Sequence, residues 1–136
     1  MTDELTSHRF TVTRADLVRY AGASGDFNPI HWSDRVATSV GLPGVIAHGM
    51  LTMALAARAV EDWAGGRDRV EEYSVRFTRP VVVPDDDRGV DIEVSGAVKE
   101  VTDDGRTRID VSCTCQGEKV LGMARALVRR SEQPQS

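Results

Sequence analysis

The chain has 136 residues, 40% of them apolar and 28% charged, with Lys+Arg 17 against Asp+Glu 21 and a formal net charge of −4. A chain of this size buries about two-thirds of its unfolded surface in one core, so neither a metal nor a disulfide staple is needed to hold it. The acidic balance excludes the basic footprint of a nucleic-acid binder. No apolar run has the length of a membrane span, and the opening Met1-Thr2-Asp3-Glu4 lacks a hydrophobic signal segment, so a cytoplasmic location is expected.

In chain order, residues 8–13 read as a short strand. Thr13-Arg14-Ala15-Asp16 fits a capping box, with Thr13 as N-cap and Asp16 at N3, opening a short helix that runs to about Ala21 and stops at Gly22. Residues 22–48 carry Gly25, Pro29, Gly41, Pro43 and Gly44 and read as irregular, with one or two helical turns between residues 33 and 40. Irregular segments of that length inside small domains are usually functional. Residues 49–63 are apolar on most faces, the pattern of a buried helix, and Gly65-Gly66 ends it. The period then changes to two. Tyr73, Val75 and Phe77 form one alternating series, Val90, Ile92, Val94 and Val98 a second, and Ile109, Val111, Cys113 and Cys115 a third. Residues 119–129 are apolar on both faces, as in a central strand. Turns fall at residues 85–89, 103–105 and 116–117. Residues 1–129 thus read as one domain, and residues 130–136 as a polar tail. The order predicts an α+β architecture, an antiparallel curved sheet wrapped round one long helix. A single such layer pair leaves sheet edges open, which predicts a dimer.

Cys113 and Cys115 share one strand face and read as buried thiols. With only His8, His31 and His48 in the chain, no metal-type cluster forms with them, and no metal site is expected.

The chemistry is concentrated in Gly25-Asp26-Phe27-Asn28-Pro29-Ile30-His31. Gly25 and Pro29 bend the backbone, so Asp26 and His31 can converge on one water molecule as a general acid/base pair. The alternative is structural: Asp26 and Asn28 as turn formers, His31 on a buried carbonyl. A second segment, Ala47-His48-Gly49-Met50, opens the long helix, where free N–H groups and the positive end of the helix dipole sit. Glycine there lets a ligand oxygen approach the backbone, so the Gly49 N–H is a candidate oxyanion donor. For His48, holding the loop stands beside a contact to substrate.

These segments resemble the MaoC-like, hydratase-2 type family of (R)-specific enoyl-thioester hydratases and (3R)-hydroxyacyl-thioester dehydratases. The likeness runs through Tyr20, Ser24-Gly25-Asp26, Asn28-Pro29-Ile30-His31 and Ala37. It continues through Gly41-Leu42-Pro43, Ile46-Ala47-His48-Gly49-Met50-Leu51 and Tyr73-Ser74-Val75-Arg76-Phe77, and is nearest the catalytic B subunits of actinobacterial type II fatty-acid dehydratases. Ala23 departs from the larger aliphatic or glycine usual there. The resemblance implies a hot-dog fold, with the irregular segment as an overhang covering the acyl tunnel. It implies Asp26 and His31 as catalytic dyad, Asn28 as the residue that orients it, Gly49 as backbone donor to the thioester carbonyl, and Ser24, His48 and Met50 as substrate contacts. It also implies a substrate carried on coenzyme A or on the phosphopantetheine of an acyl carrier protein, no separate cofactor, and a homodimer or a heterodimer with a second hot-dog chain. Arg67, Arg69, Arg76, Arg79, Arg106 and Arg125 are candidates for carrier recognition. A hot-dog thioesterase and a non-catalytic acyl-binding subunit are the competing readings.

Overall fold

The computed structural model describes residues 3–129, so the tail expected at residues 130–136 lies outside the described residues. The elements are β1 (Asp3–Glu4), β2 (His8–Val12), α1 (Arg14–Ser24), a 3₁₀ turn (Pro29–His31), α2 (Asp34–Ser39), α3 (Gly49–Ala64), β3 (Val70–Phe77), β4 (Val90–Val101), β5 (Thr107–Cys115) and β6 (Glu118–Val128). The sheet is antiparallel in the order β1-β4-β5-β6-β3, with β2 also pairing along β4. This is the arrangement expected from the sequence, with the addition of the two-residue β1. None of the described helices is long and apolar enough to cross a membrane.

Local chemistry accounts for the element ends. Thr13 Oγ1 accepts from the Asp16 N–H and the Asp16 carboxylate accepts from the Thr13 N–H, completing the expected capping box. The helix does not stop at Gly22, however. It continues to Ser24, and Gly25 at φ 80° is the left-handed cap, returning its N–H to the Ala21 carbonyl. Gly22 has a helical neighbour on either side and is tolerated inside the helix. Its position brings the helix end directly to Asp26. Gln116 and Gly117 both take positive φ and close the β5–β6 hairpin.

Helix α3 lies against the sheet. Ala56, Ala59 and Ala64 are fully buried, and their small side chains let the helix approach closely. Trp63 packs onto Gly96 of β4 and donates its indole N–H to the Thr6 carbonyl at 2.8 Å. Ile92, Val94 and Ile109 complete the same core. The helix is not buried all round within one chain. Met50 is 60% exposed and Ala54 also faces outward, while Leu51, Met53 and Leu55 are half-buried. The apolar pattern therefore exceeds what this chain alone covers.

In β6 the alternation slips at Met123, which takes φ 46° where the register with β3 and β5 shifts. Cys113 and Cys115 are free, buried thiols on the inner face, and burial pushes the Cys113 thiol up to about 12. After β3 the chain doubles back along residues 45–47. The Ala47 N–H donates to the Val81 carbonyl at 2.8 Å and the Val83 N–H to the Val45 carbonyl at 3.0 Å. That pairing fixes the segment entering α3.

Candidate active site

Asp26 and His31 stand at opposite ends of a short bend. The Asp26 backbone N–H donates to Ser24 Oγ at 3.2 Å, and Asp26 Oδ1 accepts from the Asn28 N–H at 3.2 Å. Asn28 in turn uses its side-chain Oδ1 to cap the 3₁₀ turn, accepting from the Ile30 N–H at 3.2 Å. The Asp26 carboxylate is thus held by the Asn28 backbone N–H, while the Asn28 side chain shapes the turn that carries His31. The Trp32 indole N–H braces the bend by donating to the Phe27 carbonyl at 2.9 Å. The turn-forming contacts do not compete with the placement of Asp26 and His31: the same residues build the bend and aim its side chains.

The result is a close pair. His31 Nε2 lies 3.8 Å from Asp26 Oδ2, with the imidazole buried and the carboxylate 51% exposed. His31 Nδ1 faces the Ile46 carbonyl at 2.8 Å. A carbonyl only accepts, so Nδ1 donates to it, and Nε2 is the nitrogen turned toward Asp26. The imidazole nitrogen and the carboxylate oxygen, one buried and one open to solvent, lie close enough for one water to bridge them.

His48 supports this pair from beneath. Its ring stacks on that of His31 with centroids 3.8 Å apart and planes at 21°, and Tyr20 closes on its other side at 4.8 Å. Nε2 faces the Asp26 carbonyl at 3.1 Å and so donates to it. The ring is 1% exposed. Its ring contacts are those of a group that holds the loop, while Nδ1 has no hydrogen-bond partner among the described residues. Ser24 and Met50 are exposed, at the end of α1 and in the first turn of α3.

Asp26, His31 and His48 offer ligand atoms within 4.8 Å of one another. One nitrogen of each ring is committed to a carbonyl.

Gly49 is the first residue of α3, and His48 precedes it without a side-chain cap. Among the described residues, the Gly49 and Met50 N–H groups have no backbone or side-chain acceptor, whereas Leu51 and Thr52 donate to the His48 carbonyl. These free donors sit at the positive end of a 16-residue helix. A Cβ at Gly49 would lie 3.2 Å from the Phe77 ring. Glycine thus leaves room at the helix start that any side chain would fill.

A brace on the far side keeps the overhang in place. Asp34 Oδ1 accepts from the Val45 N–H at 2.9 Å and from Arg14 Nη2 at 2.9 Å, while Arg14 Nε donates to the Val83 carbonyl at 2.7 Å. The Val45 N–H, and then Arg14, hold the Asp34 carboxyl below the usual carboxylate range. The Ile46 carbonyl and this brace were not identified in the sequence, and Tyr20 entered only as part of the family likeness. The carbonyl carries no side-chain signal, and Asp34 looks like an ordinary helix residue.

A sequence profile described as the MaoC like domain matches residues 2–115. The chain is 47% identical over 73 residues to the 3-hydroxyacyl-thioester dehydratase X of Mycobacterium tuberculosis, a match covering 54% of this chain and 25% of that protein. It superposes on a solved MaoC-like dehydratase with a TM-score of 0.90 at 42% identity, over 95% of this chain and 40% of the other. It also superposes on the R-hydratase PhaJ1 of Pseudomonas aeruginosa with a TM-score of 0.81 at 28% identity, over 96% and 81% of the two chains. The chain thus spans a quarter of the curated relative, but most of the length of the hydratase structure.

Proposed function

The chain belongs to the MaoC like domain family, whose profile covers residues 2–115, and from that membership we propose that it interconverts (3R)-3-hydroxyacyl thioesters and trans-2-enoyl thioesters plus water. One observation carries this reading: the 3.8 Å approach of His31 Nε2 to Asp26 Oδ2, with Nδ1 tied to the Ile46 carbonyl.

In the hydration direction the thioester carbonyl accepts a hydrogen bond from the Gly49 N–H. Negative charge develops on that oxygen as water adds to C3, and the donor at the helix start stabilises the enolate. Donors of this type are worth about 3–4 kcal/mol of barrier. The water sits between Asp26 and His31. As its oxygen bonds to C3, one of the two groups takes its proton, and a proton is delivered from the pair to C2. Dehydration runs the same steps backward. Because the thioester carbonyl itself acidifies C2, the reaction calls on no cofactor beyond the carrier of the acyl group, coenzyme A or the phosphopantetheine of a carrier protein. Asn28, Ser24 and His48 act by shaping and holding the bend, and Met50 lies where an acyl chain passes the helix start.

A second hot-dog chain, identical or not, completes the assembly in this proposal. Two features support it: the apolar face of α3 that this chain leaves open, and the β3 edge, which among the described residues pairs only with β6. Fatty-acid or related acyl-chain metabolism is the setting that such a reaction serves.

Incubation with crotonyl-CoA tests the proposal. Formation of (R)-3-hydroxybutyryl-CoA without release of free thiol is expected. Release of coenzyme A thiol would identify a thioesterase instead, and an (S) product would contradict the assignment.

A further inference from the structure

An apolar groove of about 300 Å³ begins at Gly49 and runs between the start of α3, the end of β3 and the returning segment at residues 80–81. Phe77 stands over Gly49 as one wall; Thr52, Val81 and Val120 supply others, and Arg79 is the one charged residue of the lining. Arg79 lies two residues beyond Phe77, and its exposed guanidinium approaches Glu118 only at 3.7 Å, longer than a good hydrogen bond. The other arginines singled out in the sequence are placed differently. Arg106 is committed to Glu71 and Asp104, Arg69 donates to the Arg129 carbonyl, and Arg125 lies on the outer sheet face beside Lys99, Arg108 and Asp110. Neither Arg67 nor Arg76 lines the groove.

Resting on the hydratase reading, we infer that this groove takes the pantetheine arm of the thioester substrate and that Arg79 meets the phosphate at its far end. The thioester must lie at the Gly49 N–H for the enolate to be stabilised. The arm attached to it is slender, with methylene and gem-dimethyl stretches between its two amides and its hydroxyl, and ends in a phosphate, which suits a channel with mainly apolar walls, Thr52 and Thr78 in its lining and a cationic rim. A guanidinium gives a phosphate two parallel donors. That phosphate is common to coenzyme A and to a carrier protein's prosthetic arm.

The test compares wild type and Arg79→Ala on crotonyl-pantetheine, crotonyl-4′-phosphopantetheine and crotonyl-CoA. The variant is expected to raise KM about tenfold or more for the two phosphorylated substrates, with kcat retained and with crotonyl-pantetheine unaffected. Arg79→Lys should recover part of the loss. A larger loss with crotonyl-CoA than with the phosphopantetheine thioester would show that Arg79 also reads the nucleotide phosphates, and equal losses that it reads the shared phosphate alone. Equal effects on all three substrates, or none, would overturn the assignment while leaving the hydratase reading intact. Wild-type protein that hydrates none of the three would remove that reading, and this one with it.

Discussion

The Ile46 carbonyl receives the Nδ1 proton of His31 at 2.8 Å, and this one contact determines which nitrogen of the ring faces Asp26. The ring's orientation is set from the segment entering α3, 15 residues from the histidine in sequence. Since the Val45 and Ala47 backbones are themselves paired with Val83 and Val81, the geometry of the pair depends on the returning segment after β3 as well as on the bend that carries Asp26.

If Asp26 and His31 share a water, each is required for turnover and neither for folding. Asp26→Asn and His31→Gln are expected to lower kcat by about 100- to 10,000-fold, with far-UV circular dichroism and melting temperature close to wild type. Activity within a few-fold of wild type in either variant would remove that residue from the pair.

The proposed reaction calls on Gly49 in two separable ways, through its N–H and through the space in front of it. Gly49→Ala keeps the N–H but places a methyl 3.2 Å from the Phe77 ring, so the ring must yield by a few tenths of an ångström. Gly49→Pro deletes the donor as well, at a helix position where proline is otherwise accepted. The proline variant should lose about 100- to 1,000-fold in kcat and the alanine variant far less. Equal losses in the two would assign the defect to crowding rather than to the missing hydrogen bond.

The Asp34 brace predicts an acid-labile overhang. A carboxyl held below its ordinary value of 3.8 contributes stability that is present above that value and is lost as pH falls through the folded one. Urea unfolding at pH 7 should therefore show Asp34→Asn less stable than wild type. The gap should narrow as pH falls below 3.8, because the wild-type carboxylate then takes up its own proton. A gap of constant size across that range would mean that the charge on Asp34 contributes nothing.

Close packing of α3 against the sheet makes Gly96 sensitive. A Cβ there would fall 2.6 Å from the Trp63 ring, which is itself fixed by its hydrogen bond to the Thr6 carbonyl. Gly96→Ala is expected to cost about 1–3 kcal/mol, read as a lower urea midpoint with unchanged slope. A neutral effect would show that Trp63 has room to move.

The framework was legible in the sequence where one local rule decided the outcome. The Thr13–Asp16 capping box, the change of period after residue 70 and the Gln116-Gly117 turn all depend on side chains close together in the chain, and all appear as expected. Gly22 misled because glycine is read as a stop signal, whereas the stop requires positive φ, which Gly25 adopts and Gly22 does not. The bulge at Met123 was invisible because its cause is the register of two neighbouring strands. At the site, Asp26 and His31 could be named because both side chains belong to one short bend. The Ile46 carbonyl, the His48 stack and the Phe77 wall come from segments brought together only by folding, and backbone atoms leave no residue-type signature.

In the proposed reaction one water, held by Asp26 and His31 on one side of the bound thioester, supplies both the hydroxyl at C3 and, through the pair, the proton at C2. Both additions must then come from the same face. Hydration of crotonyl-CoA in deuterium oxide, with the relative configuration at C2 and C3 read by NMR coupling constants, should give a single product of syn addition. An anti product, or deuterium scrambled over both C2 positions at early conversion, would contradict the shared-water arrangement.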